Sequence, residues 1–317
     1  MAAQALGLDV GGTKILGVRT DGGGRVLDRA QAPTPAEDQE ATLDAMISVA
    51  RGLLVPEVRA VGVGAAGMVE AGTGVLRFAP NLAWRDVPIS ARMAEALGRP
   101  CLVDNDANAA AFGELRFGAA RGYRHVLLVT VGTGIGGGII VDGRPFRGAH
   151  GFAAEIGHVV MDPLGPPCGC GNRGCFEQLG SGAAIGRLGR EAAREDPRSR
   201  LATLAGGDPE AVTGEIVTRA ALEGDVQAVG ILGTVGAWLG VGIAGLVNVL
   251  DPGVVVVGGG AVTAGELLLG PARAAFRDAV EAADRRPVVP IVAATLGPEA
   301  GAIGAATLAL EELGGAP

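Results

Sequence analysis

Between Glu155 and Glu177 the sequence reads EIGH and then CGCGNRGCFE, setting one histidine, three cysteines and two carboxylates into a glycine-rich stretch. Few segments limit a local fold so narrowly. His158, Cys168, Cys170 and Cys175 supply four ligands of the kind a closed tetrahedral Zn2+ site takes, and Gly169, Gly171 and Gly174 allow the chain to turn tightly around an ion. A buried thiol cluster or a disulfide is the competing reading. Three close thiols with an imidazole suit coordination better than pairing. Four protein ligands leave no open position, so the ion is expected to shape a pocket and not to activate water.

A chain of 317 residues with 48% hydrophobic content has room for two domains with separate cores. Its 34 acidic and 26 basic residues give a net charge of −8, so no positive field gathers nucleic acid or anionic lipid. Any phosphate has to be gripped locally, by backbone and a few side chains. The opening residues, MAAQALGLDVGG, carry neither a basic region nor an unbroken apolar run. No signal peptide is expected, and a reducing cytoplasm suits thiols used for metal. The stretch from Val226 to Leu250 has no charged residue and is long enough to span a bilayer. Its glycines at 230, 233, 236, 240, 242 and 245, and the lack of a flanking Lys/Arg cluster, predict a buried central helix with close helix neighbours instead.

Leu6–Val10 reads as a strand, Gly11 and Gly12 as a turn, and Ile15–Val18 as a returning strand closed by Asp21 and Gly22. The device recurs. LDVGGTKILGVRTDG aligns with VTVGTGIGGGIIVDG, mapping Gly11 onto Gly132 and Asp21-Gly22 onto Asp142-Gly143, so two related domains facing one cleft are expected. Further expectations are helices over Glu37–Leu54, Ile89–Leu97 and Asn105–Arg116, strands over Val58–Gly64, Cys101–Val103 and Val254–Val257, and a last helix from Gly297 to Leu313. No low-complexity linker separates the halves, so a hinge is expected.

Asp9-Val-Gly-Gly-Thr-Lys14 places two glycines and a hydroxyl at a strand end, where backbone amides can approach phosphate oxygens. Gly132, Gly134 and Gly137 satisfy GxGxxG. That dinucleotide fingerprint requires a helix next, and Ile139-Ile140-Val141 followed by Asp142-Gly143 continues as strand and turn, so a Rossmann dehydrogenase is the losing reading. What remains is a pair of glycine hairpins clamping polyphosphate, with Gly258, Gly259 and Gly260 opening a helix that holds a nucleoside. Asp104-Asn105-Asp106 follows the apolar strand at Cys101, at the end where open α/β sheets bind ligands. An N-cap explains Asp106 locally. Phosphate loops and a metal-braced polar pocket ask for a base that receives a hydroxyl proton in phosphoryl transfer.

With DVGGTK at 9–14, NDANAAAFGE at 105–114, TVGTGIGGG at 130–138, EIGH at 155–158 and CGCGNRGCFE at 168–177, the chain resembles the ROK family over nearly its whole length. The resemblance implies an α/β, two-domain actin-like ATPase (ribonuclease H-like) fold with an interdomain cleft and a zinc loop. The domains would be 1–113 joined by a C-terminal helix at 298–317, and 114–297. It implies ATP-dependent phosphorylation of glucose to glucose 6-phosphate, with Asp106 as general base and Asn81, Asn105, Asp106, Glu155, His158 and Glu177 around the sugar. Asp9 would help position Mg2+. Gly11, Gly12, Thr13, Lys14, Thr133, Gly134 and Gly258–Gly260 would hold ATP, and His158, Cys168, Cys170 and Cys175 a structural zinc. His158 would bind zinc through one ring nitrogen and meet a sugar hydroxyl through the other. A homodimer or homotetramer is implied, with no nucleic acid or membrane partner. Another hexose or amino sugar, or a sugar-sensing regulator without catalysis, are the alternatives, although a chain that reaches its first phosphate strand by Leu6 leaves no room for a helix-turn-helix. One position departs from the family pattern: Ala154 stands where a glycine precedes Glu155, and one methyl there is expected to matter little.

Overall fold

A computed structural model of the chain describes residues 3–79 and 82–314. The first half runs β1 (Gln4–Val10), β2 (Lys14–Asp21), β3 (Val26–Pro33), α1 (Gln39–Leu53), β4 (Val58–Ala65), β5 (Met68–Glu70), β6 (Val75–Phe78), β7 (Arg85–Val87), α2 (Ile89–Leu97), β8 (Cys101–Asn105) and α3 (Asp106–Phe117). There follow β9 (Val126–Val131), β10 (Ile135–Val141), β11 (Arg144–Pro145), α4 (Phe176–Gly180), α5 (Gly182–Glu195), α6 (Arg200–Leu204) and α7 (Gly214–Leu222). The chain ends with α8 (Val226–Leu250), β12 (Val254–Gly258), α9 (Glu266–Ala279), β13 (Ile291–Ala293) and α10 (Ala300–Leu313).

The two large sheets repeat one plan. Their orders are β3-β2-β1-β4-β8 and β11-β10-β9-β12-β13, in each case an antiparallel hairpin with its third strand outside and two later strands on the other flank. The internal repeat read in the sequence thus extends beyond the two hairpins. A smaller sheet, β5-β6-β7, was not anticipated, nor was β3, whose alternating exposed positions carry little apolar signal. Asp142 and Gly143 both take positive φ, the turn the Asp-Gly pair announces. Asp21 builds a longer loop instead, its Oδ1 accepting the amides of Gly23 and Arg25 at 3.0 Å each.

The chain divides into two compact units, one comprising 1–128, 138–154 and 294–317 and the other 129–137 and 155–293. Relative to the boundaries read from sequence, 114–128, 138–154 and 294–297 lie with the first unit. The reason is visible at Glu114. This carboxylate, 0% exposed, accepts the amides of Ala119 at 2.7 Å, Thr295 at 2.9 Å and Leu296 at 2.8 Å, fastening the lead-in to α10 onto the end of α3. Leu6, Leu8, Val61, Val63, Met46 and Trp84 form the core beneath the first sheet.

In the second unit the long uncharged helix α8 is half-buried. Gly236 and Gly240 abut the backbone of α9 and Gly242 abuts the ring of Phe176, so three of its glycines serve close packing as expected. Gly230, Gly233 and Gly245 do not: nothing approaches them within 4 Å, and Val226, Val241 and Val249 on the same helix are exposed.

Candidate active site and metal centre

In the first unit the strand register brings the acidic residues to one edge. Asp9 on β1 pairs with Gly64 on β4, which pairs with Asp104 on β8, so Asp104 is level with Asp9 and, after Asn105, the chain turns into α3 with Asp106 as its first residue. Gly64 makes this possible. A Cβ there would press on Cα of Asp106 and Cβ of Ala109 at 3.3 Å, so the missing side chain lets the first turn of α3 lie close against the sheet. Asn105 caps the helix, its Oδ1 accepting the amides of Ala107 at 2.9 Å and Asn108 at 3.2 Å, while its Nδ2 donates to Gly67 O at 3.2 Å. The capping role weighed for Asp106 therefore falls to its neighbour.

Both carboxyls are electrostatically displaced. Burial, then the charge on Asp106, raise Asp9 to about 7 against the pull of Lys14. Burial likewise lifts Asp106 above the ordinary carboxylate range, although the amide of Ala107 works the other way. Two displaced carboxyls in one unit mark the place as a candidate functional site. Gly11, Gly12, Thr13 and Lys14 form the adjoining β1–β2 tip, braced by Thr34, whose Oγ1 donates to Gly11 O at 2.8 Å. The Gly11 amide donates to Lys14 O at 3.1 Å and closes the tip. Asn81 lies outside the described residues.

The second unit carries the metal cluster. The ligand atoms of His158, Cys168, Cys170 and Cys175 all lie within 4.8 Å of one another. Sγ of Cys170 and Cys175 are 3.6 Å apart, and Cys168 Sγ is 3.7 Å from Nδ1 of His158. Zn–S bonds of about 2.3 Å at tetrahedral angles demand ligand separations of about 3.7 Å. The cluster is compatible with zinc, and all three cysteines are free thiols, which removes the disulfide reading. Burial pushes the Cys175 thiol up to about 12, whereas the amide of Asn172 pulls the exposed Cys170 down. Nδ1 faces the thiols, which leaves Nε2 for another partner.

The glycine hairpin β9–β10 abuts this loop. Glu177 Oε2 accepts the amide of Ile135 at 3.3 Å, and its Oε1 is 3.9 Å from Cys168 Sγ. That carboxylate occupies the space a side chain at Gly134 would need. Thr133 is exposed at the tip, held by the amides of Gly182 and Ala183 to Gly132 O and Thr133 O at 2.8 and 3.2 Å. Strand β10 follows directly, as the rejection of a dinucleotide fold required. Glu155 is exposed and heads the turn Ile156–His158, its carbonyl accepting the amide of His158 at 3.1 Å. Gly258 ends β12. Gly259 has φ of +88° and sits against the backbone of Val131, and Gly260 begins a 3-10 turn through Ala264 and not the α-helix expected there. Gly64 and the pair Asp104–Arg147 escaped sequence reading. Their signal is register and long-range pairing, which no local motif carries.

The ROK family model matches residues 5–312. Glucokinase from Streptomyces coelicolor is 42% identical over 96% of this chain and 97% of its own length, and glucokinase from Thermotoga maritima is 35% identical over 98% and 99%. A crystal structure of a ROK family glucokinase from Streptomyces griseus, in complex with glucose and AMPPNP, superposes with a TM-score of 0.89 at 40% identity, covering 98% of this chain and all of that one. The fold is the two-domain actin-like ATPase fold of the ROK sugar kinases. The chain belongs to the ROK family.

Proposed function

We propose that this protein transfers the γ-phosphoryl group of ATP to the 6-hydroxyl of glucose, yielding glucose 6-phosphate and ADP. The observation that carries the reading is Asp106, a carboxyl with raised pKa at the start of α3 beside Asp9, in a chain alike to glucokinases over nearly its full length. Phosphoryl transfer asks for positioning and charge stabilisation more than for covalent chemistry. The hydroxyl oxygen attacks phosphorus, the bond to the β-phosphate breaks with its electrons going to ADP, and the hydroxyl proton passes to a carboxylate oxygen of Asp106. An acceptor lifted above the usual carboxylate range holds that proton better than an ordinary aspartate.

The other roles follow from donor chemistry. Asn105, Asn81, Glu155, Glu177 and the outward nitrogen of His158 suit vicinal hydroxyls, with one Nδ2 hydrogen of Asn105 left after its bond to Gly67. Gly12, Thr13, Lys14, Thr133 and Gly134 suit the phosphates, and Gly258–Gly260 the nucleoside. Mg2+ held with Asp9 would neutralise charge on the phosphates, and zinc would fix the aim of His158. The protein is read as a cytoplasmic homodimer or homotetramer, whose mass sedimentation would measure. A coupled ADP-release assay over a panel of glucose, fructose, mannose and N-acetylated amino sugars tests the reaction. Sugar binding without ADP release on any member would establish a sensor and retire the kinase reading.

A further inference from the structure

We propose that Asp104 and Arg147 form a positioning pair for Asp106, a role that rests on the kinase reading above. Asp104 is 4% exposed, and its two oxygens face different duties. Oδ2 accepts Nε–H of Arg147 at 2.7 Å. Oδ1 accepts the amide of Asn105 at 2.8 Å and Nδ2–H of Asn108 at 3.0 Å. One buried carboxylate thus grips the residue before Asp106 and a residue in the turn after it. Asp106 takes the amide of Ala107 on its own Oδ1 at 2.9 Å, so the aim of its carboxyl follows the first turn of α3. That turn follows Asp104.

Arg147 fixes the other end. It arrives from the segment after β11, and its Nη2 donates to Oε1 of Glu312 on α10 at 2.9 Å. Close behind it, His150 O accepts the amide of Ala71 at 3.1 Å. The strap from Arg147 to His150 is therefore fastened at Asp104, Glu312 and Ala71, and it is the strap that leads on to Glu155. A carboxylate as buried as Asp104 is costly without its cation, which ties the register of the strap to the register of α3. Beside the pair lies a cavity of about 300 Å3 lined by Thr73, Ser90, Cys101, Asp104, Arg147 and Glu312 among others. Water can enter it, so a shorter side chain at 147 loses its aim without opening a void in the apolar core.

The test compares steady-state kinetics of the wild-type protein with Asp104→Asn, Arg147→Gln, Arg147→Lys and Glu312→Gln, with circular dichroism and melting as checks of folding. A misplacement of about 1 Å costs as much as 100-fold in rate. Asp104→Asn and Arg147→Gln are expected to lose kcat by about 10- to 100-fold while KM for ATP stays within about threefold and KM for glucose, which Asn105 also serves, rises by less than kcat falls. Arg147→Lys, which keeps one charged donor, should recover part of that loss, and Glu312→Gln should lose less than either. Folded Asp104→Asn and Arg147→Gln with kcat within about twofold of wild type, or a loss confined to KM, would overturn the role. If Asp104→Asn does not fold, the ordering of Arg147→Lys above Arg147→Gln in kcat carries the test, and equal values overturn it. A wild-type protein inert toward every hexose tried would withdraw the kinase reading itself, and this role with it.

Discussion

The carboxyl of Asp9 lies within the electric field of Asp106, and that like charge, added to burial, raises it to about 7. A group with a folded pKa above its unfolded value of 3.8 holds its proton more tightly in the native state. Its contribution to stability is complete below 3.8, is lost as pH rises toward about 7, and is flat above that. Asp9→Asn, free of this penalty, should melt a few degrees higher than wild type at pH 8 in buffer without Mg2+ or nucleotide. The gap should close as the pH is lowered to about 4. Calorimetry at a series of pH values measures it, and a constant gap would mean that the buried charge is not the cause.

Asp106→Asn would remove the proposed proton acceptor while keeping its shape. General-base removal costs about 100- to 10,000-fold, so kcat should fall by about three orders of magnitude. Glucose affinity by calorimetry should stay within a few fold, because an asparagine keeps a side-chain oxygen that can accept from the hydroxyl and the other sugar-binding residues are untouched. A variant that turns over at near-wild-type rate would show that the proton leaves by another route.

What the sequence disclosed was local. The spacing of Cys168, Cys170 and Cys175 announces a tetrahedral site because ligand geometry is set within one loop. Likewise, α2 begins and ends where its apolar period and Gly98 put it, with Gly98 left-handed at the C-cap. The partnerships that assemble the candidate site were hidden, since Gly64, Asp104 and Arg147 meet only through strand register and a strap distant in sequence. The same limit misread α8, where glycine spacing alone could not tell the packed Gly236 and Gly240 from the open Gly230 and Gly245.

Zinc should be measurable as one ion per chain by elemental analysis. Removing it with a strong chelator, or replacing Cys170 by Ser, leaves a set of thiols and an imidazole with no cation to join them. The loop then no longer fixes His158. Melting temperature should drop by about 5 °C or more and glucose affinity should fall with it, since one loop supplies both. Folded, active protein free of bound metal would remove zinc from the account.

Ala154 has φ of +70°, so the position where the family pattern has glycine is left-handed, and the methyl expected to be harmless carries backbone strain. A non-glycine residue in that region costs about 1–2 kcal/mol. Glycine would relieve it and give back about 0.5–1 kcal/mol through the greater freedom of its unfolded chain. The balance favours Ala154→Gly by up to about 1 kcal/mol, a rise in melting temperature of up to about 1.5 °C for a chain of this size. Because the next residue is Glu155, proposed above as a sugar ligand, a relaxed φ at 154 should raise KM for glucose before it touches kcat. A drop in melting temperature on substitution would show that the surrounding turn, and not the φ value, decides the energy of this position.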